Sequence, residues 1–384
     1  CPYIRAKTTA IMSPIALLNF EAFVANNLYG KEWPERGVII VDEAHNFVDR
    51  LAEQLAIPLP RSIAVPAKLS QDYLLKLTKH YSQAITMRKD VGQSSAKESL
   101  YLTLLKENPD TEQWVKEAGP DGTQKIVFYK LKDAIDNYLS RLAGKVIWMS
   151  ASITNSQCME MGLNSKNSVL IDMPSEFELK DHPIGFKEVL RIPKTWSGAS
   201  KSGGRGYSDI ERVLTSILKS HERGIIHTHS YSLAKAIKIN MEKKLQKKSG
   251  RKIAFHTQSS ETDKLVKGFS DKKYDWIVTP TLGEGFDGAG DLVQAQVLLK
   301  APWPSLSSNK MKKLLTTPFG TKLYQARALS SLIQAYGRGS RFKGDTCITY
   351  LLDQDLARVL RCDWNDMPAW FRRVLAHNGF WEEA

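Results

Sequence analysis

Residues Val38 to His45 read VIIVDEAH, four β-branched apolar residues followed at once by two carboxylates. A short apolar run without a charge predicts a strand buried in a parallel sheet. In open α/β sheets ligands bind beyond the carboxyl ends of the strands, so Asp42 and Glu43 emerge where chemistry is to be sought. In nucleoside triphosphatases the first carboxylate of such a pair holds magnesium, usually through water, and the second orients and deprotonates the attacking water. The plain alternative is a strand that ends in a solvated acidic turn. A full DEAH after an apolar run favours the functional reading.

Similar runs recur along the chain: KVIWM at 145–149, GIIHT at 224–228, Lys252 to His256, WIVT at 276–279, QVLLK at 296–300 and TCITYLL at 346–352. They alternate with helical stretches, the pattern of parallel strands joined by crossover helices, so the expected fold class is α/β. Two stretches break the alternation. Residues 58–140 are rich in helix formers and predict a helical insertion, with polar breaks at NPDTEQ and AGPDGTQ. Residues 194–208 are Gly/Ser-rich with scattered cations and predict a flexible linker.

The chain has 384 residues, of which 42% are hydrophobic and 25% charged, values that exclude fibrous, low-complexity and wholly disordered classes. No apolar run reaches membrane-spanning length and no secretory signal pattern opens the chain, so a soluble, intracellular protein is expected. Four cysteines at 1, 158, 347 and 362 are too scattered for a disulfide framework. The net charge of +13 gives a positive field suited to a polyanion such as nucleic acid.

Further candidate residues lie after the other strands. SLIQAYGRGSR at 331–341 sets Gln334, Arg338 and Arg341 on one short segment. Two arginines three apart share a helix face and can neutralise charge on a triphosphate; solvated arginines at a helix end are the alternative. TPTLGEGFDGAGD at 279–291 is a Gly-rich loop that presents Glu284, Gly285 and Asp287. Ser150 and Ser152, in SAS after the KVIWM strand, are small hydroxyls suited to linking two domains or touching phosphate. His227 and His229 share a strand face and could ligate zinc, although a structural role is the stronger reading. From Tyr231 to Asp275 there are 12 Lys or Arg against 5 acidic residues, while Leu233, Ile237, Met241 and Leu245 repeat every four residues as a buried helix face. Trp303, Tyr336 and Trp196 are candidates for stacking on bases, or for domain packing.

Taken in order, DEAH, SAS, HTHSY, EGFDGAGD and QAYGRGSR resemble the motifs of superfamily 2 helicases, and more narrowly the iron-sulfur group that contains XPD and DinG. MPSEFELKDHPI, LLKAPWPSL and the opening CPY with LLNFEAF resemble that group's connecting segments, so the likeness runs from Cys1 to about Asp355. The resemblance implies two RecA-like lobes: a partial first lobe at 1–57 and 141–175, an Arch-like helical insertion at 58–140, and a second lobe at 176–384. It implies an ATP site between the lobes, with Mg2+ on Asp42, Glu43 as base, Gln334, Arg338 and Arg341 on the phosphates, and His45, Ser150, Ser152, Glu284, Gly285 and Asp287 around the nucleotide. Ser230, Tyr231 and Trp303 would then touch nucleic acid.

The same resemblance implies ATP-driven 5′ to 3′ movement on single-stranded DNA, unwinding of forked duplexes and a place in DNA repair, in cytoplasm if bacterial or phage and in the nucleus if eukaryotic. It also implies a 4Fe-4S cluster, of which Cys1 would be the last ligand. One expected element is missing: no GKS or GKT phosphate loop occurs in the 384 residues, because the GK pairs at Gly30 and Gly144 are followed by Glu and Val. An N-terminally truncated helicase, poor at hydrolysing ATP alone, is the reading this suggests. The alternative is a non-catalytic nucleic-acid-binding or partner-binding protein that keeps the helicase lobes.

Overall fold

The computed structural model describes residues 1–27, 33–119, 122–129, 142–190, 192, 205–280, 292–339, 343–361 and 364–380. Two compact units are present. One comprises Cys1–Ser150, Ser156–Val169 and Ser305–Tyr324, and the other Ala151–Asn155, Leu170–Pro304 and Gln325–Ala384.

The first unit opens with helices α1 (Pro2–Met12) and α2 (Phe20–Ala25), the latter capped by the Asn19 side chain, which accepts from Ala22 N at 2.7 Å. The DEAH strand is β1 (Arg36–Val41), followed by α3 (Phe47–Gln54). After β2 (Ile57–Pro58) come α4 (Gln71–Asp90), α5 (Ala96–Glu107), β3 (Trp114–Ala118), β4 (Gln124–Phe128) and β5 (Ala143–Trp148). β1 and β5 pair in parallel, with Ile39 opposite Val146 and Val41 opposite Trp148.

Sequence periodicity predicts β1 as a buried strand, yet Val38 is 48% and Ile40 61% exposed. The two-stranded parallel sheet explains this: strands of a parallel sheet are normally covered on both faces, and here α3 supplies cover through Phe47, which meets Trp148 edge-on at 4.8 Å.

The expected helical insertion is corrected to a mixed one. α4 and α5 are present, but β2, β4 and β3 form a three-stranded antiparallel sheet beside them. The AGPDGTQ stretch, read as a break between helices, lies between β3 and β4, where Gly119 N donates to the Thr123 carbonyl at 2.6 Å. Gly122 takes φ +80°, a left-handed conformation that glycine adopts without a Cβ penalty. Buried Trp114, Val115, Ile126, Val127 and Phe128 fill the hairpin, and the Trp114 and Phe128 rings meet at a 33° tilt with centroids 3.8 Å apart.

The second unit holds a six-stranded, wholly parallel sheet in the order β6-β11-β10-β7-β9-β8. Its strands are β6 (Ile184–Leu190), β7 (Gly224–His227), β8 (Ile253–Phe255), β9 (Trp276–Thr279), β10 (Ala295–Leu298) and β11 (Ile348–Asp353). The chain's helices continue as α6 (Asn155–Glu160), α7 (Arg205–Ser220), α8 (Tyr231–Ser249), α9 (Thr262–Ser270), α10 (Asn309–Leu315), α11 (Gly320–Tyr336), α12 (Gln354–Leu360) and α13 (Ala369–His377).

Strand alternation sorts the sheet's side chains into two layers. Ile226, Val278 and Val297 pack with Leu214, Ile237 and Met241 of α7 and α8. Leu298 and Leu351 pack with Leu329 and Ile333 of α11 and with helices α12 and α13. The predicted stripe Leu233, Ile237, Met241 and Leu245 is buried in the first layer.

Ser305–Tyr324, read from sequence as second-lobe material, clusters instead with the first unit. There α10 docks on the hairpin: Ser308 Oγ donates to Glu117 Oε1 at 2.8 Å, Asn309 Nδ2 to the Lys116 carbonyl at 2.8 Å, and Lys313 pairs with Glu112.

Candidate functional site

At the end of β1 the chain turns sharply. Asp42 Oδ1 accepts from Glu43 N at 2.8 Å, and Glu43 takes φ +50°, a left-handed conformation that costs a non-glycine residue about 1 kcal/mol or more. Strain of this kind persists where the surroundings fix it. Here the Ala44 amide donates to the Met149 carbonyl at 2.9 Å, and Met149 N to the Val41 carbonyl at 2.8 Å, which locks the turn to the residue just beyond β5. The outcome is an exposed Asp42 carboxylate beside a half-exposed Glu43, the donor set a hydrated magnesium ion and an attacking water would use.

His45 is nearly buried, and its Nδ1 lies 3.3 Å from Glu43 Oε2 and 2.9 Å from Ser150 Oγ. Gln157 Nε2 donates to the His45 carbonyl at 3.2 Å. Histidine, serine and acidic pair therefore form one hydrogen-bonded group in the first unit.

One residue further along, contacts pass to the second unit's own elements. Ser152 is fully buried; its Oγ accepts from Gln334 Nε2 at 2.9 Å and its carbonyl from Ser330 Oγ at 2.6 Å, both on α11. Ala151 accepts from Trp370 Nε1 at 2.8 Å, and Asn155 Nδ2 donates to the Asn365 carbonyl at 2.5 Å. α11 leads into the turn Gly337–Gly339, which carries Arg338. Ser150 thus holds the DEAH histidine, and Ser152, two residues on, holds the glutamine of the helix that presents Arg338.

Glu284, Gly285, Asp287, Arg341 and Trp196 lie outside the described residues. Ser230 is the N-cap of α8, where its Oγ accepts from Leu233 N at 3.2 Å, and the Tyr231 ring meets His256 edge-on at 5.2 Å. Trp303 packs partly buried on the α11–α13 layer, with the Arg358 guanidinium 6.0 Å over its ring. Tyr336, offered from sequence as a stacking ring, is core: its hydroxyl donates to the His182 carbonyl at 3.1 Å, and its ring packs against Trp370 and Phe371.

His227 and His229 do lie close, their rings nearly parallel with centroids 6.4 Å apart. Burial pushes the His227 imidazole down to about 3 and His229 to about 4, so both are neutral. Among the described residues no group of three or more His, Cys, Asp or Glu could hold a metal ion. Of the described cysteines, Cys1 is exposed, Cys158 half-buried and Cys347 buried.

Gln157, Ser330, Trp370 and Asn155 had no signal in the sequence. Each acts through a non-local hydrogen bond that no local pattern encodes.

Residues 213–374 match the family model described as the helicase C-terminal domain. A solved XPD helicase is similar at TM-score 0.55 and 14% identity, covering 88% of this chain and 70% of that one. An apo form of XPD gives TM-score 0.53 and 14% identity, covering 88% and 79%. No curated protein sequence matches the chain.

The chain has the α/β fold of the XPD helicase structures, and residues 213–374 are similar to a helicase C-terminal domain. The resemblance to the XPD and DinG group drawn from the motifs stands, and it supports a helicase-type function. Among the described residues no helix is long and apolar enough to cross a membrane.

Proposed function

We propose that this chain is the greater part of an ATP-dependent DNA helicase of XPD/DinG type, which steps 5′ to 3′ along single-stranded DNA and opens forked duplexes. The observation that carries the reading is the pair of hydrogen bonds at either end of SAS, Ser150 to His45 and Ser152 to Gln334. Bonds of this kind are worth about 1 kcal/mol each, so they can be exchanged as a nucleotide state changes while still biasing which state is held.

In this reading Asp42 holds the hydrated Mg2+, which supplies charge neutralisation of the phosphates. Glu43 takes the proton of the attacking water. Arg338 and Arg341 neutralise charge that develops on the γ-phosphoryl, and Gln334 reports the change to Ser152. His45 Nδ1 stands between Glu43 and Ser150, which ties the position of the base to the start of SAS. Trp303 and the basic stretch 231–275 are the proposed DNA contacts.

The phosphate-cradling lysine is absent from the 384 residues, and β1 and β5 leave Val38, Ile40 and Ile147 about half exposed or more. Both features favour a natural protein in which further chain completes this sheet and supplies the loop. Cys1 would then be joined by cluster ligands from that chain, since among the described residues no group of cysteines could hold a cluster by itself. The missing lysine also favours a second reading, a non-catalytic module that binds nucleic acid.

ATP hydrolysis measured with and without single-stranded DNA, on this chain and on a version extended upstream, separates the two. DNA-stimulated turnover restored by extension and abolished by Glu43→Gln supports the motor. Binding of DNA without turnover in either version supports the module.

A further inference from the structure

In the middle of the second unit's parallel sheet, on β10, sits a glutamine where an aliphatic residue would be expected. Gln296 is 1% exposed and shares its sheet face with Leu298, which packs in the α11–α13 layer. A buried carboxamide is costly unless each polar atom is paired, so its partners state its purpose.

Gln296 Nε2 donates to the Tyr336 carbonyl at 2.6 Å and to Thr349 Oγ1 at 2.9 Å, while Oε1 lies 3.3 Å from His227 Nε2. The Tyr336 carbonyl can only accept, which fixes the amide orientation. It follows that Oε1 accepts, and that His227 donates from Nε2. The carboxamide's two donor hydrogens and its oxygen are all used.

The decisive partner is Tyr336. It is the last residue of α11, so its carbonyl belongs to the group that a helix leaves without intrahelical donors. Three residues later Gly339 is pressed against Cys347 and the same Gln296 carboxamide. A Cβ there would fall well inside contact distance of Cys347 Sγ, 2.9 Å from Cys347 Cβ and 3.4 Å from Gln296 Nε2. Arg338 lies between these two fixed points.

We infer that Gln296 is a positioning residue for Arg338: it caps the C-terminus of α11 from the sheet and so sets the turn that presents the guanidinium. Gln296 itself, buried beneath Tyr336, touches no nucleotide. The inference rests on the ATPase reading only for its consequence in turnover; the placement of the turn is independent of it.

The test measures hydrogen exchange across 330–339 in Gln296→Met, Gln296→Asn and Thr349→Val, together with DNA-stimulated ATP turnover in the upstream-extended protein. Methionine fills the same space without donors. Asparagine keeps the amide but ends one methylene short, so one of the two serves if the other fails to fold. Thr349→Val removes the neighbouring acceptor while leaving the Tyr336 bond in place.

Loss of the cap is expected to speed exchange of the Ala335–Gly339 amides about ten-fold in both Gln296 variants, the scale of one buried hydrogen bond, and to leave it near wild type in Thr349→Val. In an active protein kcat falls about ten- to a hundred-fold while KM for ATP stays within about two-fold. Exchange unchanged in the Gln296 variants, or raised equally by Thr349→Val, would overturn the inference. Turnover absent even from the extended wild type would count against the ATPase reading alone, and the exchange result would still decide the placement of the turn.

Discussion

The turn that carries Arg338 is flanked by two glycines in opposite situations. A Cβ on Gly337 meets nothing within 4 Å, whereas one on Gly339 would lie 2.9 Å from Cys347 Cβ and closer still to its sulfur. Carbon atoms settle at about 3.5 to 4.0 Å, so Gly339→Ala demands a displacement of roughly 0.6 Å or more. Gly339 and Cys347 are both buried, and neither has room to give. Overpacking at such a site costs about 1 to 3 kcal/mol, which in a unit of this size lowers Tm by about 2 to 12 °C.

Relief comes from the other side. Cys347→Ala alone removes the sulfur at a cost near 1 kcal/mol, and in combination with Gly339→Ala it should return 1 kcal/mol or more of the loss as a coupling energy. Gly337→Ala should stay within about 0.5 kcal/mol of wild type. Urea titrations of the four variants measure all of this. A Gly339→Ala protein as stable as wild type, or a double variant whose losses simply add, would refute the packing argument.

Other outcomes follow from particular groups. His227 has its pKa lowered by burial to about 3, against 6.5 when unfolded, so the unfolded chain binds the extra proton and stability falls as pH drops below 6.5. The arithmetic gives roughly 2 kcal/mol lost at pH 5 relative to pH 8 for this one group, and His227→Gln should flatten the urea midpoint against pH accordingly. Ser152→Ala removes the acceptor of Gln334 and should leave the fold within about 1 kcal/mol of wild type, while DNA stimulation of ATP turnover, read as a ratio to basal turnover, drops several-fold. Lys300 Nζ lies 3.2 Å from Asp353, which is 1% exposed and also accepts from the Ala301 and Asp355 amides, so Lys300→Met leaves a buried carboxylate with backbone donors but without this cation and should cost about 3 kcal/mol. Adding Asp353→Asn should recover part of that in the same denaturation assay.

Much of the fold was legible because its signals are local. Short apolar runs rich in β-branched residues marked β1, β5 and the five strands β7 to β11, and a four-residue repeat marked the inner face of α8. β6 was missed: IGFKEVL interrupts its apolar residues with glycine and two charges, as an edge strand beside β11 tolerates. The β3–β4 hairpin was hidden by reading AGPDGTQ as a break between helices, although Asp-Gly between two strand-like runs is a hairpin signal.

In the site, chemical identity was readable and pairing was not. Ser150 and Ser152 were near-silent in the sequence because their partners stand 105 and 182 residues away. In the sequence Gln296 is only the first residue of the QVLLK run, and it is the sheet that places it beneath the end of α11. A motif records which atoms chemistry needs, while the hydrogen bonds that aim those atoms come from distant segments that local pattern does not join.

In the proposed function, turnover of one nucleotide requires both the DEAH carboxylates and the arginine that α11 presents. ATP hydrolysis by the upstream-extended protein on single-stranded DNA, compared among wild type, Glu43→Gln and Arg338→Ala, tests it most directly. The account predicts DNA-stimulated turnover that falls at least a hundred-fold in each variant while DNA binding persists. Turnover that survives either substitution would contradict it.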